Sequence, residues 1–130
     1  MNKKSLFEKI LSKIGKSKYI KENEKAAQDS IRTLKYQMDL LNQKALNIAE
    51  NYPEQKKQIS ECFNQINSIE PSTSVRAGKF EQAISVEITK VSTACDKIFT
   101  SKDQKKLDSE IKALAKAIHE RVNADEPVSE

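Results

Sequence analysis

The chain is most informative in what it lacks. Its 130 residues contain no tryptophan, two glycines and three prolines. A β-sandwich or an α/β sheet needs a turn every ten residues or so, built with Gly, Pro and Asn-Gly chemistry. That chemistry is missing, which excludes sheet architectures together with glycine-rich phosphate loops and dinucleotide fingerprints. Two cysteines, Cys62 and Cys95, are too few for a disulfide framework. There is one histidine, His119, and Lys116 stands three residues before it, so the Glu-x-x-His motifs of a di-iron bundle are absent. Two thiols and one imidazole make only three zinc ligands, without Cys-x-x-Cys spacing. No Gly-x-Ser-x-Gly elbow occurs. The expectation is a non-enzymatic protein with no catalytic residues, no cofactor and no metal. Cys62 and Cys95 are expected to be small core hydrophobes, and His119 to flank the core or face solvent.

Long apolar runs are also missing. No stretch is long enough to span a bilayer, and lysines interrupt the apolar residues that follow the basic N-terminus, so no secretory signal is read there. The expected compartment is the cytosol, with a peripheral position at a membrane as the other placement. Arginine is scarce, with only Arg32, Arg76 and Arg121. No aromatic platform is interleaved with lysines, and runs such as Lys102 to Asp108 mix signs at helical spacing, as solvated helix faces do. A basic nucleic-acid-associated protein is therefore an alternative reading, and nucleic acid is not the expected partner.

What the chain does contain is helix pattern on a charged surface. Leu, Ile, Val and Phe supply 30 residues, or 23%. That lies just above the roughly 20% below which highly charged chains fail to fold, and the length suits a single domain over residues 1–130. Ala27, Ile31, Leu34, Met38, Leu41, Ala45 and Ile48 step by fours and threes, with Leu40, Leu46 and Ala49 beside them, and predict a helix over 20–50. The same stepping places helices over 54–69 (Ile59, Cys62, Phe63, Ile66, Ile69), 74–100 (Ile84, Ile88, Val91, Cys95, Ile98) and 102–122 (Leu107, Ile111, Leu114, Ile118, Val122). Ser101 and Gln104 have capping-box spacing, and residues 124–130 read as a flexible acidic tail.

The stepping keeps phase across Pro53. A continuous helix over 20–69 would be about 75 Å long, too long for the other helices to cover in a monomer, and would imply a homodimer. Proline restricts Tyr52 and suits the first turn of a new helix, so a break at 51–53 is expected. The predicted fold is all-α: an up-and-down antiparallel helical bundle with coiled-coil-like heptad seams.

Charge singles out one segment. Residues 1–21 carry seven lysines and one acid, Glu8, for +6, while the remainder of the chain sums to −2. Ser5 and Glu8 have capping-box spacing, and Gly15 is placed to end a short basic amphipathic helix over residues 1–18. Leu6, Phe7, Ile10, Leu11 and Ile14 fall within an arc of roughly 140° on that helix, with Lys9, Lys13 and Lys16 alongside. This is the candidate partner- or membrane-binding face. Capping the end of the bundle core is its first reading, and docking to an anionic membrane or a partner helix its second. In function the chain reads as a helical protein-interaction module, a small adaptor, scaffold or regulatory protein. The expected partner is another protein or a second copy of the chain, and the alternative is a membrane-surface protein anchored through residues 1–21.

Overall fold

The computed structural model describes the backbone of residues 3–124 and the side chains of residues 21–124. Four helices follow one another: α1 (Lys3–Ala45), α2 (Pro53–Asn67), α3 (Val75–Ser101) and α4 (Gln104–Val122), with no strand among the described residues. None of these helices is long and apolar enough to cross a membrane.

The expected break before Pro53 is present. The last turn of the first helix tightens into a 3₁₀ turn over Leu46–Ile48, and Tyr52 then leaves the helical region at φ −132°, ψ 60°. Pro53 opens α2 at its first position, where its missing N–H costs nothing. A homodimer built on a helix running through Pro53 thus loses its premise. At the other end, α1 runs straight through Gly15, which corrects the expectation of a separate helix over residues 1–18. A mid-helix glycine costs only about 1 kcal/mol relative to alanine, and residues 16–27 bring no proline and mostly good helix formers. The capping reading at Ser5 and Glu8 concerns side chains outside those described. Residues 125–130, most of the expected tail, also lie outside the described residues.

The other boundaries follow local chemistry. Ser74 caps α3, its Oγ accepting from the amide of Ala77 at 3.0 Å. Lys102 closes α3 in the left-handed conformation, at φ 55°. The cap of α4 is Asp103, whose carboxylate accepts from the amide of Lys106 at 3.0 Å, and not Ser101 as the spacing predicts. Ser101 is still helical as the last residue of α3, so it cannot be the extended residue that a cap requires.

Chain direction alternates from helix to helix, and α1–α2 and α3–α4 form antiparallel hairpins. Side-chain bonds show how the hairpins sit together. Ser30, Gln37 and Lys44 of α1 bond in ascending order to Glu81, Ser85 and Ser92 of α3. In the same sense Gln55, at the start of α2, bonds Asp108 of α4, and Glu70, just past the end of α2, is reached by Arg121. Like-directed helices are therefore neighbours across the two hairpins, and the link over residues 68–74 crosses one end of the bundle diagonally.

Burial repeats between the hairpins with a fixed register. Ala27, Ile31, Leu34, Met38, Leu41, Ala45 and Ile48 are buried, and so are the residues 50 positions later: Ala77, Glu81, Ile84, Ile88, Val91, Cys95 and Ile98. Gln55, Ile59, Cys62, Ile66 and Ile69 are matched 52 positions later by Leu107, Ile111, Leu114, Ile118 and Arg121. The two extra residues lie between Ile98 and Leu107. The buried apolar residues from Ile31 to Ile48, Ile59 to Ile69, Ile84 to Ile98 and Leu107 to Ile118 form one continuous core, with Tyr52, Phe63 and Ala115 packed at its edge. Leu40 and Leu46 do not widen it: they are 47% and 63% exposed. Arg121 takes the last inward position of α4, and Val122, expected there, is exposed. A helix of 3.6 residues per turn sets the positions three and four residues beyond Ile118 on either side of its direction, and the side of the arginine is the one that meets Glu81.

Candidate functional site

The N-terminal part of α1 runs past the level where α3 begins. The 50-residue register sets Val75, where α3 begins, level with residue 25 of α1. Residues 21–26 are exposed on every face of the helix, and Ala27 is the first buried residue of α1 among those described. The helix nevertheless continues to Lys3, about 33 Å of further rise. The candidate face of Leu6, Phe7, Ile10, Leu11 and Ile14 with Lys9, Lys13 and Lys16 falls on this extension. Its side chains lie outside those described. Its backbone does not: an unbroken helix sets Ile14 about 20 Å before Ala27.

Two grooves run between the like-directed helices. The larger, about 720 Å³, lies between α2 and α4. It is lined by Gln55, Gln58, Glu61 and Gln65 from one side and Gln104, Asp108 and Lys112 from the other, with Tyr52 and Pro53 at one end. Gln55 is buried, and its amide donates to Asp108 at 2.8 Å, spanning the floor. Cys62 also lines this groove, but burial pushes its thiol up to about 11. At neutral pH it is a thiol rather than a thiolate and a poor nucleophile. The smaller groove, between α1 and α3, is lined by Leu40, Leu41 and Ile88 together with Lys44, Thr89, Ser92 and Thr93.

The buried charge forms a network at the end crossed by the 68–74 link. Arg121 and Glu81 are 3% and 4% exposed, with Nε donating to Oε2 at 2.7 Å. Ser30 of α1 donates to the other carboxylate oxygen at 2.5 Å, and Nη2 of Arg121 donates to the Glu70 carbonyl at 2.7 Å. Three helices and the link thus meet on one ion pair. Its groups are saturated by one another, which is the arrangement of a structural tie rather than of a reactive centre.

A second acidic pair lies between α3 and α4. Glu87 and Glu110 face each other, each with a lysine of its own helix at 3.5 Å, Lys90 and Lys106. Oε2 of Glu87 is buried with no donor facing it. Burial first, and then the neighbouring Glu110, raise the Glu87 pKa, against the pull of Lys90.

The residues singled out for chemistry do not converge. Cys95 is buried with its thiol likewise raised to about 11, and both cysteines are free. His119 is exposed and pairs with Asn123 at 3.0 Å. Among the described residues no group of histidine, cysteine and acidic side chains is placed to hold a metal ion. The pattern did not flag Glu81 and Arg121. Their signal is a charged residue at an inward position of each of two consecutive helices, with opposite signs.

Comparison with protein families, with curated proteins and with solved structures finds no match to this chain.

Proposed function

We propose that this protein is a non-enzymatic helical interaction module, a small adaptor or scaffold. The four-helix bundle is its base, and the N-terminal extension of α1 is its binding element. One observation carries the reading. The helix continues some 33 Å past the level where α3 begins. Isolated helices are marginal in water and gain stability when an apolar face is covered. The extension has such a face in the sequence pattern of Leu6, Phe7, Ile10, Leu11 and Ile14. The repeated three-and-four spacing of the core, coiled-coil-like in each helix, supplies a rigid base from which to present it.

The test compares the full chain with one lacking residues 1–18, by thermal melting and by affinity purification from the native cell. The expected result is an unchanged melting temperature with loss of the retained partner. If the face instead covered the core, five apolar side chains would go with the truncation, at about 1.5–3 kcal/mol each for full burial. A melting temperature lowered by many degrees, or a partner retained by the truncated chain, overturns the reading.

A further inference from the structure

We infer that the surface recognised by the N-terminal extension is an anionic membrane, and that the helix lies in the headgroup layer with the bundle held beside it. This rests on the reading of residues 3–20 as the binding element and names its partner. The observation is a segregation of charge along one continuous helix. Residues 1–21 carry +6, and residues 22–130 sum to −2. Net attraction to an acidic surface thus comes from the extension, the remainder of the chain carrying no net positive charge. Among the described side chains the bundle shows paired lysines in mixed-sign clusters, as at Lys44 with Asp96, Lys90 with Glu87 and Lys106 with Glu110. The extension has a single acid for seven lysines.

The placement of charge on the helix decides between partners. At 100° per residue, Leu6, Ile10, Ile14, Phe7 and Leu11 fill the arc from 0° to about 140°. Lys9, Lys13 and Lys16 fall within about 60° of one another and border that arc on the Leu6 side, Lys4 borders it on the other, and Lys3, Lys18 and Lys21 fall at angles within the arc, before and after the apolar run from Leu6 to Ile14. Glu8 falls on the opposite face. An apolar arc edged by lysines matches an interface in which acyl chains lie under phosphate headgroups: the arc enters the boundary and the lysines stay at its level. A nucleic acid would use the lysines and leave five large apolar residues idle, because phosphate recognition does not call for them.

The experiment is co-sedimentation of the full chain with phosphatidylcholine vesicles, with and without about 30 mol% phosphatidylserine. Two variants run in parallel, Lys9→Gln/Lys13→Gln/Lys16→Gln and Phe7→Gln/Ile10→Gln, together with the chain lacking residues 1–18. Each lysine near an anionic surface is worth about fivefold in partitioning, so the triple variant should bind anionic vesicles about a hundredfold more weakly. The apolar variant should also lose most of its binding, and the neutral vesicles should retain little protein. Equal binding to both vesicle types overturns the inference, as does an apolar variant that binds like the parent. Failure to bind either vesicle, with random-sequence DNA bound in a salt-dependent way, assigns the lysines to nucleic acid instead. If no vesicle binds but the truncated chain still loses a protein partner, the extension remains the binding element and only its membrane partner is wrong. If the truncated chain binds vesicles as the full chain does, both readings fall.

Discussion

Removing Arg121 tests whether the buried ion pair is what ties the diagonal link to the bundle. The guanidinium is 3% exposed, holds Glu81 through Nε at 2.7 Å and holds the Glu70 carbonyl through Nη2 at 2.7 Å. Arg121→Met keeps the aliphatic stem and deletes the charge. It leaves a carboxylate at 4% exposure with only the Ser30 hydroxyl as a partner, and a link carbonyl without its donor. Breaking a buried pair in this way costs about 3–5 kcal/mol, a large part of the about 5–15 kcal/mol expected of a domain this size. Glu81→Leu/Arg121→Met removes both charges, and similar replacements in other proteins are neutral or stabilising by about 1–4 kcal/mol. Urea unfolding followed by circular dichroism measures all three chains. With a slope of about 1.5 kcal/mol per molar urea, the single variant should lose at least 2 M in midpoint, and the double variant should recover most of it. Limited proteolysis within residues 68–74 should accelerate in both, because both lose the bond to Glu70. A single variant destabilised by less than about 1 kcal/mol, as for an exposed pair, refutes the reasoning.

Two further outcomes follow from the same physics. The Glu87 pKa is raised above its usual 4.5, so its contribution to stability is fully present below the ordinary carboxylate value and is lost as pH rises through the raised one. Thermal melts from pH 4 to 8 should therefore fall less steeply for Glu87→Gln than for the parent, and identical slopes would show that folding does not raise the Glu87 pKa. Asp103→Ala should cost about 1 kcal/mol by loss of the α4 cap, while Ser101→Ala should cost a few tenths; the reverse order in urea midpoints would restore Ser101 as the cap.

The elements were legible because their signals are local. Pro53 after Tyr52 breaks the helix whatever surrounds it, and the spacing from Ala27 to Ile48 names the buried side of α1 without knowledge of its neighbours. Errors arose where one local signal competed with another. Gly15 carries a stop signal, but stopping there requires the following residues to leave the helix, and nothing in residues 16–27 makes them do so. Leu40 and Leu46 are apolar yet exposed, because a helix packed against two neighbours buries only the arc between them. Arg121 and Val122 fall on either side of the direction of Ile118, about 100° apart, and the side of Arg121 is the one that meets a partner, Glu81 on another helix. Of the proposed binding element, the face and its charge are visible in the sequence. Its position beyond the bundle is not, because that depends on where α3 begins relative to α1.

Neighbour relations were the least legible feature, and the polar residues account for them. All four helices bury apolar side chains at the same spacing, so the apolar pattern does not distinguish α1 beside α3 from α1 beside α4. The interhelical polar bonds do. Ser30, Gln37 and Lys44 find Glu81, Ser85 and Ser92 only if α1 and α3 lie side by side and run the same way. Gln55 reaches Asp108 only if α2 lies beside α4. In an all-antiparallel ring the buried Gln55 amide and part of the Glu81 carboxylate would lose these partners, at about 1–3 kcal/mol for each unsatisfied group. The apolar spacing would be equally well buried in either arrangement. A few polar side chains at inward or half-buried positions therefore select between two otherwise equivalent bundles. The arrangement they select takes the 68–74 link diagonally across one end, where Arg121 holds it by the Glu70 carbonyl.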